Sequence, residues 1–234
     1  MNHEGGSHDM WRLWEDAAHG AAWNMACDEL LLEEVAIAGR PVLRFYGWAA
    51  PAATFGYLQR WAEVQRWTAL RPLIRRPTGG GLVSHDRGWT YTLAIPAGHP
   101  WHRLRAIESY ARVHGWLRQA FARRGWQTEL ARSGPGGAPG ACFSRAETWD
   151  VVSGGTKVAG AAQRRTPAGL LIQGAVMEGE AGGGVAALQA GMVAVASEIW
   201  GVMWERWAPG PEFHRRVEAV EAAKYGTTAH NARR

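Results

Sequence analysis

The sequence predicts a single α/β or α+β domain in which helices flank a mixed β-sheet. Two long segments have apolar residues at helical spacing, and several short segments rich in β-branched and aromatic residues predict strands between and after them. The order of these elements is irregular, which argues against a repeating βαβ barrel. A chain of 234 residues is long enough to bury one large core.

The helices are predicted from apolar periodicity and from their stop signals. The first covers residues 23–38 and ends at Gly39-Arg40-Pro41, and the second covers residues 107–124 and ends at Gly125. A short helix is predicted over 61–67. From Gly184 onward the chain reads as mainly helical, with helical segments reaching Trp200 and then covering 213–225.

The strands are predicted from β-branched and aromatic runs bounded by glycine and proline. A hairpin is expected to join 149–152 to 156–159 around Ser153-Gly154-Gly155. Residues 133–140 are rich in glycine and proline and predict a loop. The remaining predicted strands are 42–46, 52–56, 73–76, 82–83, 89–95 and 169–176.

Composition sets the expected class and compartment. We expect residues 1–10 to be a disordered lead-in and 11–234 to form one domain. The chain shows neither an export signal nor a run of about eighteen apolar residues, so we expect a cytoplasmic protein that does not span a membrane. Its net charge of +5 is not arranged as an arginine stripe, which disfavours nucleic acid and suits an acidic carrier protein.

Lysine is scarce in this chain. Of the 26 basic residues only Lys157 and Lys224 are lysines. An amine differs from a guanidinium in shape, hydration and the ease with which its pKa shifts, so these positions are candidates for a requirement that arginine does not meet. The alternative is that both are accidents of a coding bias.

A glycine-rich segment, Arg75-Arg76-Pro77-Thr78-Gly79-Gly80-Gly81, precedes His85-Asp86. Consecutive glycines let backbone amides approach a ligand closely, and the two arginines add positive charge. Such a loop suits a carboxylate, a phosphate or an acyl-adenylate, although it would serve equally as a tight connection between strands. It lacks the Gly-Lys-Ser/Thr of a Walker loop.

Two further residues are candidates for chemistry. Lys157 stands on a predicted strand among small residues, where its amine would polarise a carbonyl oxygen, unless it is an exposed hairpin lysine. Cys142 follows the glycine-rich loop and would be a nucleophile there, unless it is a small apolar residue. Cys27 lies within the first helix and is expected in the core. His85 is a candidate base or a hydrogen-bonded structural histidine next to Asp86.

Taken together, these segments resemble the family of lipoate-protein ligases and octanoyltransferases, which shares a fold with the biotin protein ligases. The resemblance follows chain order over most of the sequence. It implies that residues 11–234 form one biotin/lipoate protein ligase-like catalytic domain without an accessory domain. Pro77 and Ser84 depart from the family pattern, because Pro77 removes a backbone donor and Ser84 stands where an aromatic residue is frequent. The segments that carry the resemblance are 11–13 with 24–29, 43–48 with 56–59, 75–81 with 85–86, 157–163, and Lys224-Tyr225-Gly226-Thr227 with Asn231.

The resemblance implies an acyl transfer to the acceptor lysine of a lipoyl domain or of a glycine cleavage H-type protein. One branch of the transferases takes octanoyl from acyl carrier protein through a cysteine placed as Cys142 is, fifteen residues before Lys157. The implied catalytic residues are Cys142 and Lys157, with no metal and no cofactor, and a monomer is expected. The implied substrate-binding residues are Arg76, Thr78, Gly79, Gly80, Gly81, His85, Val158, Gly160 and Ala161.

Several alternatives remain open at this point. An ATP-dependent lipoate-protein ligase would need ATP and Mg²⁺ and would leave Cys142 dispensable. A lipoyl amidotransferase would also use a cysteine. From a different class, the chain would be a non-catalytic binder of lipoylated proteins. A biotin ligase is less favoured, because the specific matches are to the lipoate side of the family.

Overall fold

The computed structural model describes residues 9–132, 146–177 and 184–233 and confirms the mixed β-sheet flanked by helices. Its large sheet has eight strands in the order β11-β1-β2-β6-β10-β9-β8-β7. The pairs β11–β1 and β1–β2 are parallel and the remaining pairs are antiparallel. These strands are β1 (Met10–His19), β2 (Val42–Trp48), β6 (Trp89–Pro96), β7 (Glu129–Leu130), β8 (Val151–Ser153), β9 (Thr156–Thr166), β10 (Gly169–Val176) and β11 (Met203–Arg206).

A second, three-stranded sheet packs beside the first in the order β4-β3-β5. It consists of β3 (Ala53–Phe55), β4 (Leu73–Arg75) and β5 (Val83–Ser84). The helices are α1 (Ala21–Ala38), α2 (Trp61–Val64), α3 (Ala106–Ala122), α4 (Gly184–Trp200), α5 (Pro211–Val220) and α6 (Thr228–Asn231), with a 3₁₀ turn at Pro100–Arg103 and a π-helical turn at Glu221–Tyr225.

Both faces of the large sheet are covered by apolar cores. Side chains alternate between the two faces along each strand. On β10, Leu170 and Ile172 belong to the core shared with α3 and α4, whereas Leu171 belongs to the core shared with α1 and α5. Gln173 points to the α1 side, where it bonds to Asp28. The α1 side of the sheet therefore carries polar groups at its centre, and the α3 side is apolar.

Tryptophan fills much of the α3 side. Five of the fourteen tryptophans form edge-to-face pairs with ring centroids 5.0 to 6.5 Å apart. Edge-to-face contacts of this kind add to the stabilisation from burial alone. The tryptophans in this cluster therefore have a packing role, and they are Trp11, Trp101, Trp116, Trp200 and Trp204.

The structure corrects several predicted boundaries. The region after Gly184 is not mainly helical throughout, since β11 joins the sheet by pairing with β1. The first hairpin strand begins at Val151 and not at Trp149, which has a left-handed backbone with φ of 77°. β9 continues to Thr166, and Met10, which was expected in the lead-in, begins β1. Residues 1–8 lie outside the described residues.

Within the three described ranges, no helix combines the length and apolar character that crossing a bilayer would require.

Candidate active site

A pocket lies between the small sheet and the α1 side of the large sheet. It holds about 480 Å³ of empty space, which includes part of its opening to solvent. Its wall is mostly apolar, with a few polar groups, as is usual for small-molecule sites. The lining residues are Met25, Tyr46, Trp48, Thr54, Arg76, Gly80, Val83, His85, Thr90, Lys157, Gly160, Ala161, Ala162, Gln173, Gly174 and Ala175.

The glycine loop after β4 forms one rim of this pocket. Arg76 is buried beside it, and its guanidinium donates to the hydroxyl of Thr78 at 3.1 Å and to the carbonyl oxygen of Gly79. Gly80 has φ of 82°, a left-handed conformation that favours glycine. Among the predicted loop residues, Arg76 and Gly80 line the pocket, whereas Thr78, Gly79 and Gly81 do not.

His85 lines the pocket but is held as a structural group. Its Nε2 is 2.8 Å from the Thr54 hydroxyl, and its ring stacks on Trp48 with centroids 3.7 Å apart. Burial, together with the nearby Arg76, lowers the pKa of His85 well below its ordinary value. The imidazole is therefore neutral near pH 7. Its side chain is anchored by Thr54 and not by Asp86.

Lys157 reaches the pocket because β9 contains a register irregularity. Val151 pairs with Ala159, but the next residue, Val152, pairs with Lys157, so Val158 is an extra residue in β9. A one-residue bulge turns the side chains before it to the opposite face of the sheet. Lys157 therefore lies on the pocket face with Gly160, instead of on the apolar face with Ala159.

The bulge corrects the prediction for Val158. This side chain packs against the apolar core on the α3 side and is absent from the pocket wall. Ala161 lines the pocket while also packing against that core, and Gly160 lines it directly.

The Lys157 amine is buried and paired. Its Nζ lies 2.7 Å from the Asp150 carboxylate, and only 5% of the lysine side chain and 7% of the aspartate side chain are exposed. A Cβ atom on Gly160 would lie 2.6 Å from Cε of Lys157, so the lysine stem occupies the space left by the missing side chain. Sequence analysis did not identify Asp150, which it assigned to a hairpin strand.

A chain of buried polar contacts supports the pocket floor. The Thr78 hydroxyl donates to Gln173 Oε1 at 2.7 Å, and Gln173 Nε2 donates to Asp28 at 2.7 Å. Asp28 in turn accepts from the Arg44 guanidinium at 2.7 Å and from the Tyr46 hydroxyl at 2.8 Å. Sequence analysis did not single out these groups for the site, although a lone glutamine inside the apolar strand β10 was an available signal.

Asn231, near the end of the described chain, stabilises the backbone that leads into the glycine loop. Asn231 Oδ1 accepts from the Arg75 backbone amide at 2.8 Å, one residue before Arg76. Lys224 pairs with Glu29 at 2.6 Å and does not line the pocket. Of the two lysines, only Lys157 belongs to this site.

One of the two cysteines lies within the described residues. Cys27 is fully buried in α1, and burial raises the pKa of its thiol far above the ordinary value, so it is not a nucleophile. Cys142 lies outside the described residues.

Residues 20–179 match the family model described as the lipoyl protein ligase A/B catalytic domain. An octanoyltransferase LipM from Kyrpidia tusciae is 33% identical over 179 residues, which cover 71% of this chain and 65% of that protein. The octanoyltransferase LipM of Bacillus subtilis is 30% identical over 184 residues, covering 72% and 66%. The chain thus spans just under two thirds of the length of these relatives.

Solved structures share the fold at low identity. A putative lipoate protein ligase from T. acidophilum with bound lipoic acid matches with a TM-score of 0.81 and 16% identity, covering 96% of this chain and 100% of that one. A lipoate-protein ligase A bound with ATP matches with a TM-score of 0.79 and 15% identity, covering 95% and 98%.

Proposed function

The chain belongs to the lipoyl protein ligase A/B catalytic domain family, and we propose on that basis that it is an acyltransferase. The proposed reaction moves an octanoyl group from acyl carrier protein to the acceptor lysine of a lipoyl domain or of a glycine cleavage H-type protein. The relatives named octanoyltransferase support this choice within the family. No cofactor is required in this reaction.

The observation that carries the proposal is a buried lysine amine in an apolar pocket. The walls formed by Met25, Val83, Ala162 and Ala175 suit an alkyl chain, which gains free energy by leaving water. Lys157 supplies a cation at the pocket wall, where the carbonyl end of an acyl chain would need one. An ammonium in a partly desolvated site stabilises an oxyanion more strongly than the same group does in water.

We propose a two-step reaction on Cys142. Its thiolate attacks the thioester carbonyl of the donor, and the tetrahedral intermediate collapses by expelling the carrier thiolate, which leaves the octanoyl group on Cys142. The neutral amine of the acceptor lysine then attacks this thioester. The new C–N bond replaces the C–S bond, and the proton lost by the amine returns to the cysteine sulfur. Lys157 would stabilise the oxyanion in both steps.

The test is intact-protein mass spectrometry after mixing the protein with octanoyl-loaded carrier protein in the absence of ATP. We expect an octanoyl adduct that hydroxylamine removes, that Cys142→Ala abolishes and that Cys27→Ala retains. Cys27→Ala is the matched control, because Cys27 is buried away from solvent.

Three other outcomes would refute the proposal, and each would identify a different function. Acceptor modification only with free lipoate and ATP would identify a ligase. Transfer from an octanoylated lipoyl protein, but not from the carrier protein, would identify an amidotransferase. Carrier binding without any turnover, unchanged in Cys142→Ala, would identify a binding protein.

A further inference from the structure

The turn that precedes β8 contains a strained residue. Trp149 has φ of 77° and is the sole residue other than glycine with positive φ in the described part of the chain. A bulky side chain rarely adopts this conformation, because its Cβ atom crowds the neighbouring carbonyl. Such a conformation persists only where its surroundings hold it, and it is frequent at functional sites.

Three hydrogen bonds connect this turn to Ala131 and to α3. The Trp149 amide donates to the Ala131 carbonyl at 2.9 Å, and the Ala131 amide donates to the Asp150 carbonyl at 2.8 Å. The third comes from α3, where His114 Nδ1 lies 2.8 Å from the Trp149 carbonyl oxygen. A carbonyl oxygen only accepts, so Nδ1 carries the proton. His114 is buried, and burial lowers its pKa to about 4, which keeps the ring neutral near pH 7.

The turn places the Asp150 carboxylate beside the Lys157 amine. Because Val151 pairs with Ala159, the preceding residue lies alongside Gly160, on the face that the bulge gives to Lys157. The Asp150 carboxylate accepts from the Glu147 amide at 2.7 Å and lies 2.7 Å from the Lys157 amine. The carboxylate is thus oriented from its own turn as well as by the lysine.

We propose that Asp150 is a positioning residue for Lys157, and that the left-handed Trp149 and its anchor His114 determine where Asp150 stands. The inference rests on the proposed role of Lys157 in acyl transfer. A buried ammonium requires an anion to offset its lost hydration, and Asp150 provides one at a defined place. An ammonium has three N–H donors, so the ion pair with Asp150 does not by itself prevent donation to an acyl oxygen.

The first test is the kinetics of Asp150→Asn. The amide has nearly the same shape and keeps an oxygen for the Glu147 N–H, but it removes the charge. We expect kcat of octanoyl transfer to fall by about 10- to 100-fold with little change in KM, because displacement of a catalytic group by about 1 Å has effects of this size. Glu29→Gln removes the charge from the Lys224 ion pair and should leave kcat unchanged.

A pair of His114 variants tests the anchor. His114→Asn can still donate to the Trp149 carbonyl, whereas His114→Phe cannot. We expect His114→Asn to retain most of kcat and His114→Phe to approach Asp150→Asn. A purely structural role would instead lower the melting temperature of both without this split in kcat.

The second test observes the amine itself by ¹⁵N NMR of lysine side chains. The chain has only two lysines, so two Nζ resonances are expected, and Lys224 is an internal reference. In Asp150→Asn the Lys157 resonance should shift or be lost through solvent exchange while that of Lys224 stays in place. Glu29→Gln should do the reverse.

The outcomes separate this inference from the proposed function. Wild-type kcat and an unchanged Lys157 resonance in Asp150→Asn would overturn the positioning role. An Asp150-dependent resonance in a wild-type protein that transfers no acyl group would support the positioning of the amine and overturn only the proposed function.

Discussion

A Cβ atom placed on Gly56 would lie 1.9 Å from the carbonyl oxygen of Gly80. Gly56 follows β3, and Gly80 belongs to the loop at the pocket rim, so the two backbones meet where only a hydrogen atom fits. The Tyr57 amide donates to the Thr78 carbonyl at 2.9 Å and holds the same contact from the adjacent residue. The shape of the glycine loop therefore depends on a residue about two dozen positions earlier in the chain.

Gly56→Ala should displace the glycine loop, because the contact is between backbone atoms and no flexible side chain can yield. We expect a loss of about 1–3 kcal/mol in the free energy of unfolding, measured by urea denaturation, together with a loss of acyl transfer. Gly79→Ala is the matched control for stability, since an added Cβ there has no neighbour within 4 Å. Equal stability of the two variants would contradict the close contact between Gly56 and Gly80.

Gly160→Ala should affect the reaction more than the fold. The added Cβ would lie 2.6 Å from Cε and 2.8 Å from Nζ of Lys157, and the tip of a lysine can move away. We expect kcat to fall by about tenfold or more, with the free energy of unfolding nearly unchanged. Gly98→Ala, at an exposed position without neighbours within 4 Å, should change neither quantity. A wild-type kcat in Gly160→Ala would argue against a fixed place for the amine.

Arg44→Met should destabilise the domain strongly. Arg44 is fully buried and pairs with Asp16 and Asp28, each at 2.7 Å, so its removal leaves buried carboxylates without their cation. We expect a loss of about 3–5 kcal/mol in chemical denaturation. Arg206→Met is the control, because its pair with Glu15 is largely exposed and should contribute less than about 1 kcal/mol. Similar losses in both variants would refute the role given to the buried network.

Acid should destabilise the protein partly through His114. Burial lowers the pKa of His114 from 6.5 to about 4, so between these values the unfolded chain binds a proton that the folded chain does not. The free energy of unfolding should therefore decline as the pH falls from about 6.5 to 4, by up to about 3 kcal/mol from this residue. His114→Asn should make this decline shallower when denaturation is measured across that pH range. If the free energy of unfolding declined with the same slope in the variant, the decline would arise from other titrating groups.

The sequence by itself predicted those features that depend on local chemistry. Apolar periodicity placed α1 and α3 to within about two residues, and the strand β10 matched its predicted range, because helical and strand periods are properties of a short segment. The motifs around Arg76 and Lys157 identified the two segments that meet in the pocket. Scarcity of lysine indicated both Lys157 and Lys224, and of these Lys157 lines the pocket.

Only the tertiary structure decided which side chains face the pocket. The bulge at Val158 is a property of the pairing between β8 and β9, and without it Lys157 would point into the apolar core. Asp150 becomes its partner through a left-handed turn that His114 anchors from α3, and Asp28 reaches Thr78 through Gln173 of β10. Strand register and the pairing of buried charges arise between segments distant in sequence, so the local pattern of any one segment does not encode them.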